Sequence, residues 1–177
     1  MMRQIRSILA LPFIVLLAIP AVITLVFDGL SVGWGLAPPL SFLPIALGLA
    51  LMALGLLLMV HTIRLFVTVG EGTLAPWDPT QRLVVRGTYR YVRNPMISGV
   101  LSILLGEAVL LGSLPVFIWF ALFLVGNAIY MPLSEEPGLE ERFGEEYRQY
   151  KRNVPRWLPR HTPWEGPSSG EDMGRYG

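Results

Sequence analysis

The chain alternates between long apolar runs and short polar segments. Residues 8–27 and 40–60 contain no charged side chain, and about 20 apolar residues are enough to cross a hydrocarbon core about 30 Å thick. Two shorter runs, 96–111 and 114–131, are separated only by Gly112 and Ser113. This tight junction predicts a helical hairpin. The pattern as a whole predicts an all-α, multi-pass transmembrane bundle of about four spans.

The first run has a second interpretation, because Arg3 and Arg6 precede it as basic residues precede the apolar core of a secretory signal peptide. Such a core usually has about 7–15 residues and ends at a small-residue cleavage site. The run at 8–27 is longer, and no such site follows it. We therefore interpret it as a retained helix.

The basic residues are distributed unevenly between the connections. Residues 28–39 and the turn at 112–113 contain no Lys or Arg, and all 14 basic residues lie before the first span, within 64–93, or after Met131. With four spans, these basic segments share one side of the membrane, which the positive-inside rule identifies as cytoplasmic. We expect an integral membrane protein in a lipid bilayer, with both termini in the cytoplasm.

After Ser134 the composition becomes polar, and apolar side chains recur at the spacing of one helix face. These side chains are Leu139, Phe143, Tyr147, Tyr150 and Val154. The pattern predicts a cytoplasmic C-terminal amphipathic helix that lies on the membrane surface or packs over the ends of the spans. We expect one domain over residues 1–161 and a disordered tail over 162–177, which is rich in Gly, Pro and Ser.

Composition excludes several classes of protein. Hydrophobic residues make up 53% of the chain and charged residues 15%, whereas about 25% of a soluble domain is charged. The absence of cysteine excludes disulfides, thiolate zinc sites and iron–sulfur clusters. Two histidines are too few for most histidine metal sites, so we expect no metal. A net charge of +1 gives no reason to expect nucleic acid as a partner.

The segment before the third span, residues 87–96, is the first candidate for chemistry. Pro95 suits the first position of a helix and Asn94 the capping position before it. The free N–H groups of that helix end, with Arg90 and Arg93 beside them, can receive a carboxylate or a phosphate. The alternative is a capped helix with Arg and Tyr anchors at the membrane interface.

Two acidic positions are the other candidates. Glu135 and Glu136, just past the fourth span, either lead the polar helix or form a carboxylate site for an ammonium or sulfonium cation. Glu107 lies within the third span, where an acidic side chain is costly and usually faces the bundle interior. Asn127 is a plausible hydrogen-bond partner for it across the hairpin.

Two segments resemble the hallmarks of a known superfamily. Residues 81–96, which read QRLVVRGTYRYVRNPM, are similar to the first hallmark of the isoprenylcysteine carboxyl methyltransferase and phospholipid methyltransferase superfamily. Glu135-Glu136, followed by FGEEYRQY at 143–150 and by Val154-Pro155, resembles the second. The resemblance covers residues 81–160, and the two hallmarks flank the predicted hairpin in the family's order.

The resemblance implies a membrane methyltransferase that binds S-adenosylmethionine on the cytoplasmic side without a Rossmann domain. Its acceptor would be lipophilic or small and would carry a carboxylate, a thiol or an amine. The implied catalytic residues are Arg93 and Glu136. The implied cofactor-binding residues are Gln81, Arg82, Leu83, Val84, Tyr89, Asn94, Pro95, Met96, Ile97, Glu135 and Glu136.

Two positions depart from the family's isoprenylcysteine enzymes, which have histidine and tyrosine where this chain has Asn94 and Ile97. Asparagine can cap a helix and form hydrogen bonds, but it cannot carry a proton charge near neutral pH. These changes fit either another acceptor or a non-catalytic protein of the same fold. A membrane NADPH-dependent reductase of the steroid-reductase type is a further alternative, although the acidic pair disfavours a ligand with several phosphates. Neither the acceptor nor the oligomeric state follows from these motifs.

Overall fold

A computed structural model describes residues 12–28, 32–69 and 83–166. Within these ranges the chain forms helices and no β-strand, which confirms the all-α prediction. The main helices are α1 (residues 14–28), α2 (Phe42–Val69), α3 (Pro95–Leu111), α4 (Leu114–Tyr130) and α5 (Glu136–Asn153), with short 3₁₀ helices at Val32–Gly35 and Gly87–Arg90. The predicted site residues Gln81 and Arg82, and the tail at 167–177, lie outside the described residues.

Three of the four apolar runs lie in helical segments of membrane-spanning length, so this is an integral membrane protein. Within the described ranges, three helical segments are long and apolar enough to span a bilayer, namely Ile14–Gly35, Phe42–Leu65 and Leu114–Asn153. The apolar part of the third is α4. Helix α3 is also apolar but has only 17 residues. Large apolar side chains on the outer faces, such as Leu43 and Leu57, are exposed as lipid contact requires.

Helices α2 and α3 pack at unusually close range through two pairs of glycines. A Cβ atom at Gly55 would lie 2.5 Å from the carbonyl oxygen of Gly99, and one at Gly48 would lie 2.7 Å from that of Gly106. Ser102 fixes the same crossing, because its hydroxyl donates a hydrogen bond of 2.8 Å to the carbonyl of Leu51. Small residues of this kind let the backbones of membrane helices touch. The contact holds α3, whose first residues form part of the candidate site, against α2.

The hairpin between α3 and α4 forms as the sequence predicts. Gly112 ends α3 in the left-handed conformation with a φ of 63°, which glycine adopts without a steric cost. The Ser113 side chain then caps α4 by accepting a hydrogen bond from the N–H of Val116. Trp34 packs over this turn and donates its indole N–H to the carbonyl of Val109 at 2.8 Å.

Helix α4 continues into α5 through one widened π turn, Met131–Glu135. In this turn the N–H of Glu136 donates to the carbonyl of Met131, five residues earlier. Glu135 and Glu136 therefore lie inside a continuous helical segment rather than ahead of a new helix, which corrects that interpretation of the acidic pair. Such turns are frequent at functional sites in proteins.

The polar helix α5 buries the apolar face read from the sequence. Tyr147, Tyr150 and Val154 are buried and pack against Leu83, Val85 and Trp164. Helix α5 is interrupted at Gly144, whose φ of 55° and ψ of −129° are not helical. That α5 lies against a cytoplasmic membrane surface stays a prediction.

The chain after α5 runs back along the segment that precedes α3. The carbonyl of Pro155 accepts the N–H of Arg93, Arg160 donates to the carbonyl of Tyr91, and Trp164 donates to that of Arg90, at 2.9–3.0 Å. We call residues 154–166 the C-terminal strap. It includes residues 162–166, at the start of the predicted tail, while a domain boundary at 161 stays a prediction.

Candidate functional site

A cavity of about 380 Å³ lies where the start of α3, the helix Gly87–Arg90, the end of α4 and helix α5 meet. Its volume falls within the range of about 300–1,000 Å³ that is typical of small-molecule sites. It is lined by Leu83, Val84, Tyr89, Arg93, Asn94, Met96, Ile97, Asn127, Tyr130, Met131, Glu135, Leu139, Phe143, Tyr147 and Tyr150.

Most of the residues singled out in the sequence meet in this cavity. Those that line it are Leu83, Val84, Tyr89, Arg93, Asn94, Met96, Ile97 and Glu135. Pro95 and Glu136 are buried beside the cavity and are not part of its lining. Segments that lie about 40 positions apart in the sequence are therefore brought to one place, although the roles assigned to these residues remain predictions.

Arg93 lines the cavity and also forms polar contacts with neighbouring side chains. Its side chain is 10% exposed, and its Nη1 lies 2.9 Å from Oε1 of Glu136 and 3.4 Å from the hydroxyl of Tyr147. Its Nε–H is buried and finds no acceptor among the described residues. A buried donor without a partner is costly, so an acceptor from a bound molecule fits this position.

Glu136 is surrounded by cations. In addition to Arg93, Arg156 lies 2.8 Å from its Oε1 and Lys151 lies 3.0 Å from its Oε2. Burial of this carboxyl opposes ionisation, but the hydrogen bonds from Arg156 and Lys151 and the charge of Arg93 outweigh it and lower the pKa of Glu136. Glu136 is thus an ionised anchor, and its oxygens are occupied by protein groups.

Glu135 has the opposite environment. Its side chain lines the cavity, and no ion pair holds it among the described residues. Burial, together with the negative charge of Glu136, raises the pKa of Glu135 above its ordinary value. Two adjacent carboxyl groups whose pKa values are pushed apart are suited to different tasks.

Asn94 occupies the capping position before α3, but its side chain does not cap the helix. The Asn94 carbonyl accepts the first hydrogen bond of α3 from the N–H of Ser98 and a second from the Ser98 hydroxyl, both at 3.0 Å. The expectation of a side-chain cap is therefore wrong. The Asn94 side chain instead lines the cavity.

An aromatic wall completes the cavity on the α5 side, and the site prediction did not include most of it. Tyr147 and Tyr150 pack edge to face with ring centroids 6.2 Å apart, and the Tyr150 hydroxyl donates to the carbonyl of Tyr89 at 2.8 Å. Phe143 lies on the same wall. In the sequence these residues are recognisable only as the apolar face of a helix. Their regular spacing is the one signal that could have brought them into the site prediction.

Asn127 and Tyr130 bring α4 into the lining, which the site prediction also lacked. The side-chain amide of Asn127 donates to the carbonyl of Phe123 at 2.8 Å, four residues earlier. Its expected hydrogen bond with Glu107 is not formed, and that interpretation is wrong. The Oε2 atom of Glu107 is buried without a partner among the described residues.

Comparisons with known proteins show the family of this chain. The model of the family described as phospholipid methyltransferase matches residues 43–146. The chain is 36% identical over 77 residues to a protein named protein-S-isoprenylcysteine O-methyltransferase from Schizosaccharomyces pombe, covering 44% of this chain but only 33% of that relative. It is 36% identical over 63 residues to an uncharacterized protein from Haemophilus influenzae, covering 36% of this chain and 100% of that protein. No solved structure matches significantly.

Proposed function

The chain belongs to the phospholipid methyltransferase family, and on that basis we propose that it transfers a methyl group from S-adenosylmethionine to a lipophilic or small acceptor. The family match and the apolar helices make it a membrane methyltransferase. The identity of the donor, the side of the membrane that it enters from and the acceptor are our proposals.

The unsatisfied Nε–H of Arg93 is the observation that carries the proposal. This N–H finds no acceptor among the described residues, and it belongs to a charged side chain that lines a cavity of about 380 Å³. A carboxylate is the natural partner for a guanidinium N–H. Both the donor molecule and one class of acceptor carry a carboxylate.

The chemistry of the other lining residues fits S-adenosylmethionine. This molecule supplies an electrophilic methyl group on a sulfonium cation, and it also carries a carboxylate, an ammonium group and an adenine ring. Glu135 offers a carboxylate to the cations, and Phe143 and Tyr147 offer aromatic faces to a cation or a ring. Leu83 and Val84 supply apolar contact.

The geometry supports a division of work between the two adjacent acids. Glu136, which the resemblance implies to be catalytic, positions Arg93 through the 2.9 Å contact and does not face the cavity. Glu135 faces the cavity, and its raised pKa makes it the better proton acceptor if the methyl acceptor is an amine. The remaining rate enhancement comes from alignment of the nucleophile, because methyl transfer is an in-line displacement.

The acceptor approaches from the bilayer in this proposal. Asn127 and Tyr130 line the cavity from α4, an apolar helix that we place in the bilayer, so a lipophilic molecule can reach the cavity between helices. The donor enters from the opposite, polar side beside α5 and the strap. The basic residues lie on the side of α5 and the strap in this proposal. By the positive-inside rule we infer that this side is cytoplasmic and that both termini lie there.

Binding of the donor gives the direct test. We expect S-adenosylmethionine to bind the detergent-purified protein in calorimetry, and Glu135→Ala to weaken binding at least about tenfold because a buried carboxylate facing a cation is lost. The matched control is Glu141→Ala, an exposed acid on the same helix, which should bind like the wild type. Absence of binding by the wild type, or displacement of the donor by equimolar NADPH, would overturn the proposal.

Asn127 should affect the acceptor and not the donor. One N–H of its amide is donated to the carbonyl of Phe123, so its second N–H and its carbonyl oxygen are left to contact a molecule in the cavity that it lines. In membranes supplied with methyl-tritiated S-adenosylmethionine, we expect Asn127→Leu to reduce transfer of label about tenfold while calorimetry shows donor affinity unchanged. Equal loss of donor affinity would contradict this assignment. The fraction that gains label, whether lipid, protein or small molecule, identifies the acceptor class.

A further inference from the structure

Glu107 is a buried acid that the proposed reaction does not use. Its side chain is 7% exposed, and its Oε2 finds no hydrogen-bond partner among the described residues. No Lys, Arg or His occurs in residues 12–27, 42–60 or 95–131, which form the apolar helices around it. An acid at this depth is expensive, so its retention calls for a partner.

Two apolar cavities share Glu107 in their linings. One of about 610 Å³ extends towards Pro12 and Leu56, and one of about 370 Å³ extends towards Thr24 and Leu111. Both are lined in part by Leu16, Leu17, Met52 and Glu107, so together they form one groove between α1, α2 and α3. We call this the Glu107 groove. It shares no lining residue with the cavity that contains Arg93.

The position of Glu107 along α3 determines which way a bound molecule would extend in the groove. It lies 12 positions after Pro95 and four before Leu111, which at 1.5 Å per residue is about 18 Å from the Arg93 end of α3 and about 6 Å from the other end. The larger part of the groove runs from Glu107 towards the Arg93 end, past Phe13 and Leu49. A polar head at Glu107 would thus leave room for a chain that follows α1 and α2.

The chemistry of the groove defines the class of molecule. Its walls are apolar apart from Glu107 and Thr24, and the Thr24 hydroxyl is already donated to the carbonyl of Pro20 at 2.8 Å. A carboxyl group can accept a hydrogen bond in either protonation state, so a ligand that donates one satisfies it at any pH. A phosphate head is disfavoured, because the described residues that line the groove include no cation.

We propose that the Glu107 groove is a second binding site, which takes a single-chain lipophilic molecule whose amine or hydroxyl head donates a hydrogen bond to Glu107. The site is separate from the proposed methyl-transfer cavity. It does not depend on the identity of the methyl donor, so failure of one proposal leaves the other standing.

Photo-crosslinking tests this site. The full-length protein in phosphatidylcholine nanodiscs would be irradiated with three probes that share one diazirine-bearing 16-carbon chain and end in a primary amine, a hydroxyl or a methyl ether. We expect the amine or the alcohol to label peptides containing residues 12–17 or 49–56 about tenfold more than the ether, because only the ether lacks a donor. If the amine alone gives this preference the ligand is an amine, and if both do it is any donor head.

Variants distinguish a specific hydrogen bond to Glu107 from nonspecific hydrophobic binding. Glu107→Leu should reduce the preference for the donor probes to about onefold, whereas Glu107→Gln, which keeps a carbonyl acceptor, should retain most of it. Leu17→Trp should block labelling by filling the groove, and its matched control Leu43→Trp, at a lipid-facing position outside the groove, should not. Thermal unfolding of each variant would be compared with that of the wild type to confirm folding.

Three outcomes would overturn the proposal. The first is equal labelling by the ether, which would make the groove an ordinary lipid contact. The second is labelling confined to peptides outside α1, α2 and α3. The third is an unchanged donor preference in a folded Glu107→Leu protein.

Discussion

Replacing Arg93 with lysine is expected to lower methyl transfer about a hundredfold, because the three N–H donors of an ammonium group share one nitrogen and cannot contact Glu136 and a bound molecule from two separate positions as a guanidinium can. In the structure Nη1 of Arg93 is committed to Glu136 at 2.9 Å, which leaves Nε for a bound molecule. Lysine is a point charge on a flexible stem and has no such fork. The loss should therefore appear in activity and not in folding.

The stability of the Arg93→Lys protein should stay close to that of the wild type. Glu136 keeps its ion pairs with Arg156 at 2.8 Å and Lys151 at 3.0 Å, so its negative charge remains paired. We expect the Tm to fall by less than about 4 °C, the effect of about 1 kcal/mol in a chain of this size.

The measurement uses membranes that contain the protein and methyl-tritiated S-adenosylmethionine, with total transferred label as the readout. The control is Arg152→Lys, the same change at a side chain that is 72% exposed, and it should behave like the wild type. Two results would contradict the assignment. One is more than a third of wild-type activity in Arg93→Lys, and the other is a large fall in its Tm, which would make Arg93 mainly a structural support.

Replacing Gly55 with alanine is expected to destabilise the folded protein by about 3 kcal/mol or more, at the upper end of overpacking effects. The added methyl group would lie 2.5 Å from the carbonyl oxygen of Gly99, and backbone cannot move aside as a side chain can. Helices α2 and α3 would have to separate. Because Gly99 lies one turn after Asn94–Ile97, the separation should also weaken binding of the methyl donor.

Gly126 supplies a matched control for this prediction. It lies on α4, and a Cβ there would meet nothing within 4 Å. Gly126→Ala should therefore leave stability unchanged or raise it by up to about 1 kcal/mol through the helix preference of alanine. Unfolding of both variants would be followed by tryptophan fluorescence in detergent. Equal stability of Gly55→Ala and Gly126→Ala would mean that the α2–α3 contact is looser than it is in the structure.

Features that depend on one segment of chain were predictable. The apolar runs predicted the helices, because about 20 successive apolar residues are typical of a membrane-spanning helix. Gly112 and Ser113 predicted the hairpin, because a left-handed glycine and a capping serine act locally. Pro95 predicted the start of α3, because proline suits the first position of a helix, where its missing N–H would have no partner.

Features that depend on the rotation of one helix against another were not predictable. Asn127 and Glu107 lie on adjacent helices and were expected to pair, yet α4 turns Asn127 towards the Arg93 cavity and α3 turns Glu107 towards α1. The π turn at Met131–Glu135 has a similar effect. It adds one residue to a turn, so it sets which of Glu135 and Glu136 faces the cavity.

The C-terminal strap has a consequence for how the protein is made. Its bonds from Pro155, Arg160 and Trp164 hold the backbone of residues 90–93, which is synthesised more than 60 positions earlier. The described apolar helices α1 to α4 are thus synthesised before the strap residues that hold the backbone around Arg93. Arg156 and Lys151, which neutralise Glu136, arrive in the same late stretch. The polar cavity therefore acquires these contacts only after residues 151–164 have been synthesised.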